Sequence, residues 1–143
     1  MLESIGEALK ADKVMIFEED EENVSATYEW KKEGVPSTID KLQKIPREKA
    51  KALYQGYVPS EVTIINDPER MNKALKDGNI SAVKINSLVS GHLAINRKSF
   101  GFVEVVNPAP DRLKDASLLL TAVTRFLSVL IRNRDIYKRL RQL

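Results

Sequence analysis

Residues 115 to 143, DASLLLTAVTRFLSVLIRNRDIYKRLRQL, hold neither glycine nor proline, and no other part of the chain runs as long in a helical pattern. A helix of that length outruns what one layer of packing needs, so it reads as a dimerising or signal-passing helix, the alternative being a single long helix on a sheet with a frayed end. Leu119, Val123, Phe126 and Leu130, then Tyr137 and Leu140, recur at alternating four- and three-residue steps, the spacing of a seam that faces a partner helix. Asn133 is the polar member of that seam, and a single Asn there costs stability while fixing register. These seven residues are expected to form a homodimer interface. Gln142 and Leu143 bring no Gly, Asn or Pro to stop the helix, so 132–143 is expected to begin a linker helix to a covalently linked output domain.

With 143 residues and 43% hydrophobic content, the chain suits a single domain over 1–143. It has no cysteine, which excludes disulfides, thiol catalysis, thiol-linked chromophores and thiolate metal sites. His92 is the one histidine, so a zinc site would have to be built from carboxylates, and neither metal nor cofactor is expected. The net charge of +3 gathers at the tail in Arg132, Arg134, Lys138, Arg139 and Arg141, opposite in sign to the run Glu18 to Glu22. Basic residues in the last turns of a helix complement its dipole, which accounts for them without nucleic acid. No apolar run approaches the roughly 20 residues of a membrane span, and the amino terminus carries no signal pattern, so a cytoplasmic location is expected.

Leu2 to Lys10 places Leu2, Ile5, Ala8 and Leu9 on one helical face. Val14 to Phe17 reads as a central strand, EEDEE as a solvated hairpin tip, and Asn23 to Lys31 as a strand with Val24, Ala26, Tyr28 and Trp30 on its apolar face. Lys32 to Ile45 is a connection crossing one face of the sheet. Pro46 opens a short helix that stops at Gly56, Val62 to Ile65 is a brief strand, and Asp67-Pro68 caps a helix through Met71, Ala74 and Leu75 that Gly78 closes. Three antiparallel runs follow, Ser81 to Leu88, His92 to Asn96 and Phe100 to Val106, with turns at Ser90-Gly91 and Arg97-Lys98-Ser99. His92 is thereby placed beside a turn, in water. In the last run Gly101, Val103 and Val105 are assigned to the terminal helices, and Phe100, Phe102, Glu104 and Val106 to a cavity under the crossover. Asn107-Pro108-Ala109-Pro110 turns the chain toward the tail, with Asp111 or Asp115 as cap.

Four stretches, GEALKADKVMIFEED, TYEWKKEGV with IDKLQKIP, FGFVEVVNPAPD and LLLTAVTRFLSVLIRNRDIYKRL, together resemble the GAF domains, cousins of PAS, found upstream of GGDEF or other output domains in bacterial signalling proteins. The resemblance implies an α+β fold: a five- or six-stranded antiparallel sheet, N- and C-terminal helices together on one face, and a pocket covered by loops and helices on the other. It also implies regulation rather than catalysis. Asn96, Lys98 and Phe100 match the start of the cyclic-nucleotide-binding signature, but no Asp-Glu pair follows.

The candidate pocket residues are Tyr28, Trp30, Met71, Leu75, Phe102 and Glu104. The aromatic pair offers apolar walls with polar tips, and Glu104 is a carboxylate among phenylalanines that needs a partner, water or ligand. No nucleophile triad, phosphate loop or paired-carboxylate motif is present, so no enzyme is expected. The reading is a regulatory module that senses an unidentified small molecule, dimerises and relays through its C-terminal helix. The alternative is a degenerate GAF domain that binds nothing and serves as a dimerisation spacer or protein-interaction module.

Overall fold

A computed structural model of the chain describes residues 1–53, 62–65 and 69–143. The expected stop at Gly56 and the Asp67-Pro68 cap lie outside the described residues. Six antiparallel strands form one sheet in the order β3-β2-β1-β6-β5-β4, where β1 is Lys13–Glu19, β2 Asn23–Lys31, β3 Ile45–Pro46, β4 Thr63–Ile65, β5 Leu88–Ile95 and β6 Lys98–Val106. Among the described residues four α-helices accompany it: α1 Leu2–Ala8, α2 Arg47–Leu53, α3 Glu69–Asp77 and α4 Leu113–Arg141.

α1 and α4 share one face of the sheet. Their apolar sides meet Val14, Ile16, Val89, Leu93, Val103 and Val105 in the largest core cluster. Small residues let the helices approach closely. A Cβ at Gly91 would stand 2.7 Å from the Thr124 methyl, and one at Gly6 would collide with the Trp30 ring. Thr124 and Ser128 return their hydroxyl protons to carbonyls one turn back, and Ser128 Oγ accepts the Ala94 amide at 3.2 Å, tying α4 to β5.

Two bulges set which side chains face which way. Between Ile16 and Phe17 the pairing with β2 skips Thr27: Phe17 stands opposite Ala26, but Ile16 opposite Tyr28. Val24 and Ala26 therefore join Met15, Phe17 and Phe102 on the face away from the terminal helices, whereas Trp30 packs into the helix-side core. The simple alternation that put all four β2 residues on one face is corrected by this extra residue. The second bulge, at Leu93/Ala94, turns Phe100 onto the helix side as well. Phe102 stays on the far face, stacked on Phe17 with centroids 4.8 Å apart.

Other boundaries differ locally. Ser90-Gly91 is not a turn but the middle of β5, and Ser81 to Ser87 is not a strand. A continuous β5 puts half-buried His92 opposite Phe102, and burial lowers its pKa. The β5–β6 turn is Asn96-Arg97, both with positive φ, as a two-residue hairpin turn requires. Pro46 belongs to β3, so α2 begins one residue later. Asn79, at φ 55, is the left-handed residue after α3 in place of Gly78. Neither Asp111 nor Asp115 caps α4, which is led in by a 3-10 turn at Pro110–Arg112 and makes no side-chain cap bond.

The Thr27 bulge has a polar consequence. It brings Glu29 beside Met15 on the same face as Lys13, which is only 3% exposed. Lys13 Nζ lies 2.8 Å from Thr38 Oγ1 and 3.4 Å from Glu29 Oε2. Glu29 also accepts the Ser37 hydroxyl and the Thr38 amide, the latter at 2.9 Å, which fastens the crossover over the sheet. Burial lowers the pKa of Lys13 against the opposing pull of Glu29. Burial pushes Glu29 upward, but Ser37, Thr38 and Lys13 outweigh it, and its pKa is lowered.

A carboxylate with a depressed folded pKa contributes stability that is present above its unfolded pKa and is lost as pH falls through the folded one. Glu29→Gln, which leaves Lys13 buried without its counter-charge, should cost about 3 kcal/mol near neutral pH. Urea melts from neutral to acid pH should show the gap between native and variant closing as Glu29 protonates. A gap independent of pH would show that the ion pair does not hold the crossover.

Candidate functional site

On the face away from α1 and α4 the apolar side chains form two clusters rather than one. Met15, Phe17, Val24, Ala26, Ala50 and Phe102 make the first, and Met71, Ile85, Leu88 and Val106 the second. A cavity of about 170 Å³ lies between them. Its floor comes from neighbouring positions of the two central strands, Lys13 and Met15 on β1, Glu104 and Val106 on β6. Two of these four, Lys13 and Glu104, carry polar head groups, so the clusters cannot close over them without burying those groups against hydrocarbon.

The crossover supplies one wall through Thr38, Leu42 and Ile45, and it is well anchored. Ala26 donates its amide to Leu42 O at 2.8 Å, Gln43 Nε2 reaches Ala26 O and Ile39 O at 2.7 Å each, and the Lys44 amide meets Ser25 Oγ at 2.8 Å. α3 supplies the other wall through Met71, Ala74 and Leu75, together with Ile80, Val83 and Ile85 from the segment after it. Asn72 joins those two pieces as a strand partner would, giving and taking hydrogen bonds with the Ile85 backbone at 2.8 Å each. Exposed Lys41 and Lys49 stand at the mouth.

Of the residues nominated from sequence, Met71, Leu75 and Glu104 line this cavity. Phe102 shares the face but fills the adjoining cluster. Tyr28 and Trp30 are turned away by the Thr27 bulge: Trp30 covers α1, and Tyr28 is exposed with its hydroxyl 3.2 Å from Arg134 Nη1. Lys13, Met15 and Thr38 were missed. The available signal was parity, since Lys13 shares its strand face with Met15 and Phe17 and so cannot reach water as freely as a strand-end lysine usually does.

β1 also reaches the tail. Glu18 accepts two bonds from the Arg134 guanidinium of α4, one of them 3.0 Å long from Nη1, in a bidentate pair. Asp135 adds a contact at 2.8 Å to Nη2, and the guanidinium lies 6.0 Å from the Tyr28 ring centroid. The Glu18 bonds lead the causes that raise the Arg134 pKa. The same strand thus carries the cavity floor at one end and holds the exit helix at the other. On α4, Leu119 and Val123 are half-buried at the helix-side core, while Phe126, Leu130, Asn133, Tyr137 and Leu140 face outward.

Asn107, which follows β6, ties the segment before β5 to Asp12. It sits at φ 53, a conformation Asn tolerates, and its side chain accepts the Asn86 amide at 2.7 Å while donating to Lys84 O and Asp12 Oδ2 at 2.8 Å. Among the described residues no group of His, Cys, Asp and Glu could hold a metal ion, and no helix is long and apolar enough to cross a membrane.

No protein-family model and no curated protein matches the chain. Solved structures do. The photoproduct state of GAF3 from Slr1393 of Synechocystis sp. PCC6803 superposes with a TM-score of 0.71 at 12% identity, covering 97% of this chain and 93% of that one. The blue-light absorbing form of the Thermosynechococcus elongatus PixJ GAF domain gives 0.62 at 18% identity, with coverages of 99% and 88%. A domain assigned to a two-component sensor histidine kinase protein from Sinorhizobium meliloti 1021 gives 0.62 at 16% identity, with coverages of 99% and 92%. At such identities the likeness speaks for architecture, and it agrees with the strand order and the shared face of the terminal helices: the chain has the fold of a GAF domain.

Proposed function

We propose that this chain is a ligand-sensing and dimerising regulatory module of a bacterial signalling protein, working without catalysis and relaying through α4. The observation that carries the reading is the walled cavity whose floor strand, β1, also grips α4 through Glu18 and Arg134. Structures of the same fold from photoreceptors and a sensor kinase protein support it by analogy. A ligand moves the tail only as far as it prefers one arrangement of β1 and α4 over another. The outward row from Phe126 to Leu140 offers a second copy an apolar seam, which would make α4 both the dimer contact and the output. The same seam would serve the second reading, a domain that dimerises and binds nothing.

Thermal unfolding across a panel of nucleotides, amino acids, organic acids and aromatic metabolites separates the two readings. A true ligand at 100 times its dissociation constant should stabilise the fold by about 2.7 kcal/mol, and Ala74→Phe, which fills the cavity, should abolish the shift. A panel without any shift contradicts sensing.

Sedimentation equilibrium tests the seam. Leu130→Asp should lower the assembled fraction, and an unchanged mass distribution would remove α4 from the interface.

A further inference from the structure

The floor of the cavity is matched from within the chain. Lys13 Nζ lies 2.8 Å from the Thr38 hydroxyl and 3.4 Å from Glu29, and Glu104 attracts the same ammonium. One cation there already faces two carboxylates, so the floor calls for no charge from a ligand. The mouth differs. Lys41, at the end of the 3-10 turn Ile39–Lys41 in the crossover, and Lys49, on α2, come from separate elements to one opening, and both are exposed. Neither belongs to an ion pair among the described residues. Their chain neighbours Asp40 and Glu48 do not line the cavity, and Glu104, at the floor, is the only carboxylate among the described residues that do.

Between mouth and floor the walls are hydrocarbon, with Leu42 and Ile45 on one side and Met71, Ala74, Leu75 and Val83 on the other. The cavity of about 170 Å³ compares with the roughly 150 Å³ that admits benzene. This arrangement sorts ligands by charge and by direction. A cation has to pass two lysines of its own sign, and an anion carried to the floor meets Glu104 at low dielectric. A carboxylate left at the mouth keeps its water and faces two ammonium groups, while the hydrocarbon behind it leaves water for the walls. We propose that the cavity takes a small organic acid with one carboxylate and an apolar body of about benzene size, the body inside and the carboxylate outward, toward Lys41 and Lys49. This inference rests on the sensing reading and names its ligand class.

Isothermal titration calorimetry with three probes of one shape tests it: 4-methylpentanoate, 4-methylpentanamide and 4-methylpentylamine. At low salt the carboxylate should bind about fivefold to tenfold more tightly than the amide, and the amine most weakly. The preference for the carboxylate should shrink as salt screens the exposed lysines. Lys41→Gln combined with Lys49→Gln should bring the carboxylate down to the affinity of the amide and leave the amide unchanged. Both positions are exposed, so the double variant keeps its core. Equal affinities for carboxylate and amide, tightest binding by the amine, or a preference that survives in the double variant overturns the inference. Failure of all three probes overturns it as well, while the sensing reading is judged separately by the wider panel and Ala74→Phe.

Discussion

A lysine that opens a central strand on its covered face has to find oxygens, and in this chain it finds them in a loop that would otherwise have little reason to lie where it does. Lys13 meets Thr38 at 2.8 Å and Glu29 at 3.4 Å, and Glu29 in turn holds the Ser37–Thr38 corner. The crossover is thereby fastened over the sheet, and the wall formed by Thr38, Leu42 and Ile45 follows. The arrangement depends on one extra residue. Without the bulge at Thr27, Glu29 would point toward the terminal helices, and the lysine would be buried with no carboxylate from β2. Buried pairs of this kind contribute little net stability, but removing one partner is costly, so their effect is to specify one arrangement.

The same strand explains how a pocket on one face could be felt on the other. Lys13, Met15 and Phe17 look into the cavity side, Val14 and Ile16 lie beneath the helices, and Glu18 grips Arg134. A packed sheet does not deform continuously, but a strand can shift by small steps between its neighbours. Two contacts set where α4 goes after it leaves the core at Ile131: the bidentate Arg134 pair and the Ser128 hydroxyl that accepts the Ala94 amide of β5. A change in β1 reaches the first directly, and the second holds the upper half of the helix still.

Much of this architecture was legible in the residues. The exit helix, the β1–β2 hairpin around the acidic tip, the long crossover and the split of Val103 and Val105 from Glu104 all follow from periodicity and turn chemistry. What escaped is what breaks period. Alternation cannot show that Thr27 is an extra residue, so Tyr28 and Trp30 were placed on the wrong side and Glu29 was overlooked. Ser90-Gly91 has the composition of a turn, yet there Gly91 leaves room for Thr124 and lets β5 run straight through. Glu104 could be singled out because a carboxylate among apolar neighbours is anomalous in any strand. Lys13 could not, because a lysine at a strand end is ordinary until its face is known.

Whether β1 couples the cavity to the tail is measured most directly by amide hydrogen exchange across residues 132–141. Met15→Ala and Met71→Ala each remove a cavity side chain of the same kind, but only the first lies on β1. Exchange in 132–141 should accelerate in Met15→Ala beyond whatever Met71→Ala produces, since the Glu18–Arg134 grip loosens with the strand. Equal exchange in the two variants at matched stability would contradict the coupling and leave the cavity and the helix as independent features.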